Sequence, residues 1–76
     1  MNKDRRKRID EAVKKLEEAQ TILEDCRDEE QDYLDNIPEN LQGSERYETA
    51  EAAVDALDSA CENLEEVISS AEEATY

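Results

Sequence analysis

The chain has no histidine, tryptophan or phenylalanine, and only one glycine and one proline in seventy-six residues. Without histidine it lacks the side chain that titrates near neutral pH and the commonest metal ligand. Two cysteines, Cys26 and Cys61, cannot by themselves complete a tetrahedral zinc site. No apolar run approaches the roughly 20 residues that a membrane-spanning helix needs. The basic start, Met1 to Arg8, leads into Ile9, Asp10 and Glu11 rather than an apolar stretch, so it does not read as a secretory signal and a cytoplasmic location is expected. Ser44, Ser59, Ser69 and Ser70 have no partner base, and the carboxylates fall on exposed helical positions rather than in a cleft. The expectation is a protein that is not an enzyme and carries no cofactor or metal.

The scarcity of Pro and Gly also limits the fold. Pro38 and Gly43 lie five residues apart, so the chain has one marked break and two long unbroken segments. Both segments carry apolar residues at alternating steps of three and four, the helical period. The first reads Ile9, Ala12, Val13, Leu16, Ala19, Leu23 and Cys26, then a polar gap at Glu30, then Tyr33, Leu34 and Ile37. Pro38 biases Ile37 away from the helical region and ends that segment. Ser44 then supplies an N-cap, with Glu45 and Glu48 placed against the positive end of the next helix. The expected fold is all-α: an antiparallel two-helix hairpin, with helix 1 at about 3–35, a turn at 36–43 and helix 2 at about 44–74. The turn has room for one short helical turn starting at Pro38.

The second helix carries two seams. One runs Tyr47, Ala50, Val54, Leu57, Cys61, Leu64, Ile68 and Ala71, the other Ala53, Leu57, Ala60, Leu64, Val67, Ala71 and Ala74. A single partner helix covers one seam and leaves the other wet, so pairing of two hairpins into a four-helix bundle is expected. Its interface would be Ala53, Leu57, Ala60, Leu64, Val67 and Ala71. With the turn near residue 40, level positions sum to about 80, which pairs Leu16 with Leu64, Leu23 with Leu57, Cys26 with Val54 and Tyr33 with Tyr47. Cys26 and Cys61 are then offset by roughly 10 Å, too far for a disulfide, and both read as small buried hydrophobes.

Charge is strongly asymmetric. Seven of nine basic residues lie in the first fifteen; from Leu16 onward twenty acids meet only Arg27 and Arg46, a net charge of −18. Cations at the start of helix 1 and acids at the ends of both helices oppose the helix dipole. A hairpin relieves part of this by setting Arg5, Arg6, Lys7 and Arg8 beside Glu72 and Glu73, and Lys14 and Lys15 beside Glu65 and Glu66. The turn end has no such relief. Asp25, Asp28, Glu29, Asp32, Asp35, Glu39, Glu45 and Glu48 therefore form the candidate partner-binding surface, weighed against a face that only solubilises.

Asp28, Glu30, Asp32 and Glu39 fall at positions one, three, five and twelve of a calcium-loop frame, but Tyr33 stands where that loop needs glycine. The basic start superficially matches a leucine-zipper DNA binder, yet acids follow at once and the remainder repels phosphate, so direct nucleic-acid binding is not expected. The converse is physically allowed. Twenty-three carboxylates along a rod of roughly 45 Å give one per about 2 Å, close to duplex DNA at one charge per about 1.7 Å.

The segment Arg27 to Glu48, with Asp-Glu-Glu-Gln at 28–31, Asn-Ile-Pro-Glu-Asn-Leu-Gln at 36–42 and Ser-Glu-Arg at 44–46, resembles small acidic helical-hairpin proteins of bacteria and their phages. The Met-Asn-Lys-x-Arg-Arg-Lys start and the alanine-rich second helix at Ala52 to Leu57 extend that resemblance over most of the chain. It implies a hairpin fold and a mobile-element setting, but no residue roles, because no agreed activity attaches to the group. The expected partners are thus a second copy and a basic protein of the nucleic-acid-binding class, blocked by the acidic surface. The alternatives are an adaptor dimer working through apolar helix faces, and a small-ligand binder near Tyr33 and Tyr47.

Overall fold

The computed structural model describes residues 1–76 as two long helices, α1 (Lys3–Asp35) and α2 (Glu45–Glu73), joined by a turn that contains one 3-10 segment, Glu39–Leu41. The helices pack against each other as a hairpin, and there is no strand. Local chemistry sets each helix end. Asn2 caps α1 by accepting from the Arg5 N–H at 2.7 Å, and Ser44 caps α2 by accepting from the Tyr47 N–H at 3.2 Å. Such caps satisfy amide donors that have no partner within the helix. Asn36 closes α1, its side-chain amide donating to the Asp32 carbonyl at 2.7 Å. Pro38 follows in an extended conformation (φ −57°, ψ 146°) and opens the 3-10 segment.

Gly43 does not use the freedom of glycine. No residue has positive φ, and a Cβ at Gly43 would meet nothing within 4 Å.

The molecule is a thin rod, 60 × 14 × 13 Å by Cα extent. It is longer than the 45 Å expected, because the thirty-three residues of α1 alone rise about 50 Å and the turn adds to the end. Only seven residues are buried: Val13, Leu34, Ile37, Ala50, Val54, Cys61 and Ile68. Four of them, Leu34, Ile37, Ala50 and Val54, form one cluster with Tyr47 packed against it. This cluster plugs the turn end.

On α2 the first seam faces inward as its spacing implies, with Ala50, Val54, Cys61 and Ile68 buried. On α1 the inward stripe differs from the expectation. Ala12, Ala19, Cys26 and Tyr33 are exposed, while Ile9, Val13, Leu16, Gln20, Leu23, Arg27 and Leu34 are buried or half-buried. Pairing of Cys26 with Val54 and of Tyr33 with Tyr47 is thereby replaced, and only Cys61 behaves as a buried small hydrophobe. Val13 and Leu34 face inward as expected, and a stripe centred on these larger apolar residues at seven-residue spacing passes through Gln20 and Arg27, which turns Ala12, Ala19, Cys26 and Tyr33 outward. Gln20 and Arg27 tolerate the positions because their stems pack while their polar ends find partners. Gln20 donates to the Cys61 carbonyl at 3.5 Å, and Arg27 meets Asp58 at 3.5 Å.

Candidate protein-binding surface

All eight acids of the candidate surface are exposed, but they do not share one face. Asp25, Asp28, Asp32 and Asp35 follow steps of three and four and make one stripe along α1, with Glu29 beside it. Glu39 sits in the 3-10 turn. Glu45 and Glu48 lie in the first turn of α2; Glu45 falls on its outer side, whereas Glu48, one step after inward-packed Tyr47 and seven before Asp55, turns to the same side as the α1 stripe.

Helical rotation shows what else joins that stripe. The residues immediately after the inward positions are Asp28 and Asp35 on α1, and Glu48, Glu51, Asp55 and Glu62 on α2. One step forward turns each side chain about 100° around its own axis. In antiparallel helices these turns, viewed from one end, have opposite sense, so both sets reach the same side of the hairpin. An acidic flank therefore spans both helices. Arg27 marks it, bridging Asp28 on its own helix at 3.3 Å and Asp58 on the other at 3.5 Å. Burial works against the Arg27 charge but is outweighed by the hydrogen bond to Asp28 and the fields of Asp28, Cys61 and Asp58, so its pKa is pushed up. Arg27 stays cationic and links the two helices across this flank. Glu51, Asp55, Asp58 and Glu62 were not among the sequence-derived candidates, although their steps of four, three and four were visible.

The opposite flank is different. Residues immediately before the inward positions include Ala12, Ala19, Ile22 and Cys26 on α1, and Thr49, Ala53, Ala56, Ala60 and Val67 on α2. Tyr33 and Arg46 also belong to it, and they meet across the hairpin. The Arg46 guanidinium lies over the Tyr33 ring, 5.2 Å from its centroid, and donates to the Tyr33 hydroxyl. That contact independently places the two helices' preceding residues on one side. Of the expected interface residues, Ala53, Leu57, Ala60, Leu64 and Ala71 are half-buried, and Val67 is 48% exposed.

The cross-helix charge pairs expected at the open end do not form. Arg8 pairs with Asp4 of its own helix at 3.1 Å, and Arg6 donates to the carbonyl of Tyr76. A partner one turn away holds an exposed arginine with less loss of side-chain freedom than one across the hairpin.

No group of three or more carboxylate or thiol side chains converges to hold a metal ion. Asp28, Glu30 and Asp32 lie within α1 rather than in a loop. Beside Tyr33 lie two depressions: a cleft of about 180 Å³ lined by Asn36, Ile37, Pro38, Leu41, Ser44 and Arg46, below the roughly 300 Å³ at which small-molecule sites begin, and a shallow, open groove of about 810 Å³ lined by Glu30, Ser44, Glu45, Arg46, Thr49 and Ala50, which encloses no ligand-shaped space. No helix is long and apolar enough to cross a membrane. No family model, curated protein or solved structure matches the chain.

Proposed function

We propose that the chain is a non-enzymatic protein-binding module whose acidic flank occupies the basic groove of a nucleic-acid-binding protein and blocks it. The observation that carries this reading is the alignment of Asp28, Asp35, Glu51, Asp55 and Glu62 on one side of a thin rod, exposed and with Arg27 as the only cation among them. Twenty-three carboxylates along 60 Å come to one per about 2.6 Å, sparser than duplex DNA at one per about 1.7 Å but of the same order. Such a surface steers a basic partner from a distance and releases it in salt. The resemblance of the turn segment to small bacterial and phage proteins supports a host protein as the target and the cytoplasm as the place of action.

The test is capture of DNA-binding proteins from a bacterial lysate on the immobilised chain. Retention should fall steeply as salt rises over roughly 50 to 200 mM, duplex DNA should compete, and Asp28→Lys with Asp55→Lys should abolish capture. Capture that ignores both salt and charge reversal sinks the reading. A second reading, an adaptor acting through apolar faces, has one observation in its favour: Ile22 and Val67 are 62% and 48% exposed. It requires salt-insensitive capture that is lost in Val67→Asp.

A further inference from the structure

We infer that a second copy of this chain docks on the flank formed by Ala19, Ile22 and Cys26 of α1 with Ala53, Ala60 and Val67 of α2, the two hairpins lying antiparallel in a four-helix bundle. The hairpin by itself leaves its core unfinished. Leu16, Leu23, Leu57 and Leu64 sit on the inward stripes yet remain half-buried, and Ile22 and Val67 stand exposed on the flank beside them. Covering that flank shields the leucine layers and the two exposed residues together.

Charge selects the occupant and its direction. A chain of net charge −14 repels its own copy over most of its surface. Along α2 from Arg46 to Val67 the flank carries no acid; its residues are Arg46, Thr49, Ala53, Ala56, Ala60, Asn63 and Val67. On α1 it carries Arg8 and Lys15 toward the open end and Glu29 at the turn end. The two ends of the hairpin differ as wholes. Residues 1–15 and 65–76 hold seven cations and seven acids, whereas residues 24–51 hold eleven acids and two arginines, a net of −9. Turn beside turn would set −9 against −9. Turn beside open end sets −9 against a balanced end and brings the partner copy's cationic flank toward Glu29. The size also admits a pair: one whole side of the rod, 60 × 14 Å by Cα extent, projects about 840 Å², so copies overlapping along their full length have room for the ~800 Å² per partner of a stable interface. In this arrangement both acidic flanks face outward, so the pair presents two of them.

The inference stands apart from the acidic-flank reading, since sedimentation of the pure chain involves no other protein. At high micromolar concentration the chain should sediment at twice its 8.7 kDa. Ile22→Lys and Val67→Lys, made singly, should weaken association by at least about tenfold (~1.4 kcal/mol) while circular dichroism stays helical. Asp55→Lys, on the other flank, should leave the pair intact. A folded wild-type monomer overturns the inference, as does a dimer untouched by both Ile22→Lys and Val67→Lys. Cys26 reads the direction. Antiparallel copies hold their two Cys26 residues roughly 15–20 Å apart along the axis, beyond disulfide reach. Mild oxidation should therefore give no Cys26-linked dimer, and its formation would overturn the antiparallel arrangement.

Discussion

The turn end and the open end of the hairpin solve opposite problems. The turn end has the only contiguous core, Leu34, Ile37, Ala50 and Val54 with Tyr47 against it, and it also carries the net charge of −9. The open end is balanced in charge, but its buried residues Val13 and Ile68 do not join that cluster. Packing and repulsion are thus concentrated at the same place. A short, well-plugged turn lets acids crowd its exterior because apolar burial there outweighs their mutual repulsion. At the other end the helices have less to hold them: local ion pairing of Arg8 with Asp4 takes the place of carboxylate pairs across the hairpin, and the polar link between the termini is the Arg6 guanidinium on the Tyr76 carbonyl.

The sharpest way to break this contrast is to empty the plug. Leu34→Ala should destabilise the hairpin by about 2–5 kcal/mol, whereas Ile9→Ala, at a half-buried site, should lose less than about 1.5 kcal/mol; urea unfolding followed by circular dichroism compares them. Equal losses would mean that the two ends are equally cohesive. The caps provide a second comparison. Ser44→Ala should lose about 1 kcal/mol, and Asn2→Ala only about 0.5 kcal/mol because that terminus frays, both read by thermal melts at fixed concentration.

Reversing one charge tests the repulsion directly. Asp32 has Asp28, Glu29 and Asp35 within one turn, so Asp32→Lys should stabilise by about 1 kcal/mol by replacing like-charge pairs with attractive ones. The gain should shrink in high salt; an unchanged gain would assign it to something other than charge. The smallest expected effect is at Gly43. Its backbone is compatible with any L residue and its surroundings are open, so Gly43→Ala should stabilise by about 0.4–1 kcal/mol through the unfolded chain. A loss of stability in equilibrium unfolding would show that the turn needs glycine after all.

Much of this is legible in the residues alone. Pro38, Ser44 and the three–four spacing announce two helices and a turn, and the inward seam of α2 follows from Ala50, Val54, Cys61 and Ile68. The acidic flank was legible only in part. Asp25, Asp28, Asp32 and Asp35 stand out because they are close in sequence, whereas Glu51, Asp55 and Glu62 join them only once the antiparallel pairing and the rotation of each helix are known. Glu48, seven residues before Asp55, joins them as well, whereas Glu45 in the same acidic run lies on the outer side of α2 and leaves that surface.

What the chain determines by itself is local: capping, the break at Pro38 and the period of its apolar residues, each set by backbone chemistry within a few positions. Which stripe of α1 turns inward was decided only in the hairpin. The apolar face expected for α1 is broad, reaching from Ala12, Ala19 and Cys26 to Val13 and Leu34, and periodicity does not fix which part of it sits at the centre. The choice rests on the larger area of Val13 and Leu34 buried against α2, and on Asp58 and the Cys61 carbonyl being there to receive Arg27 and Gln20. Those partners are more than thirty residues away along the chain, and only the fold brings them together.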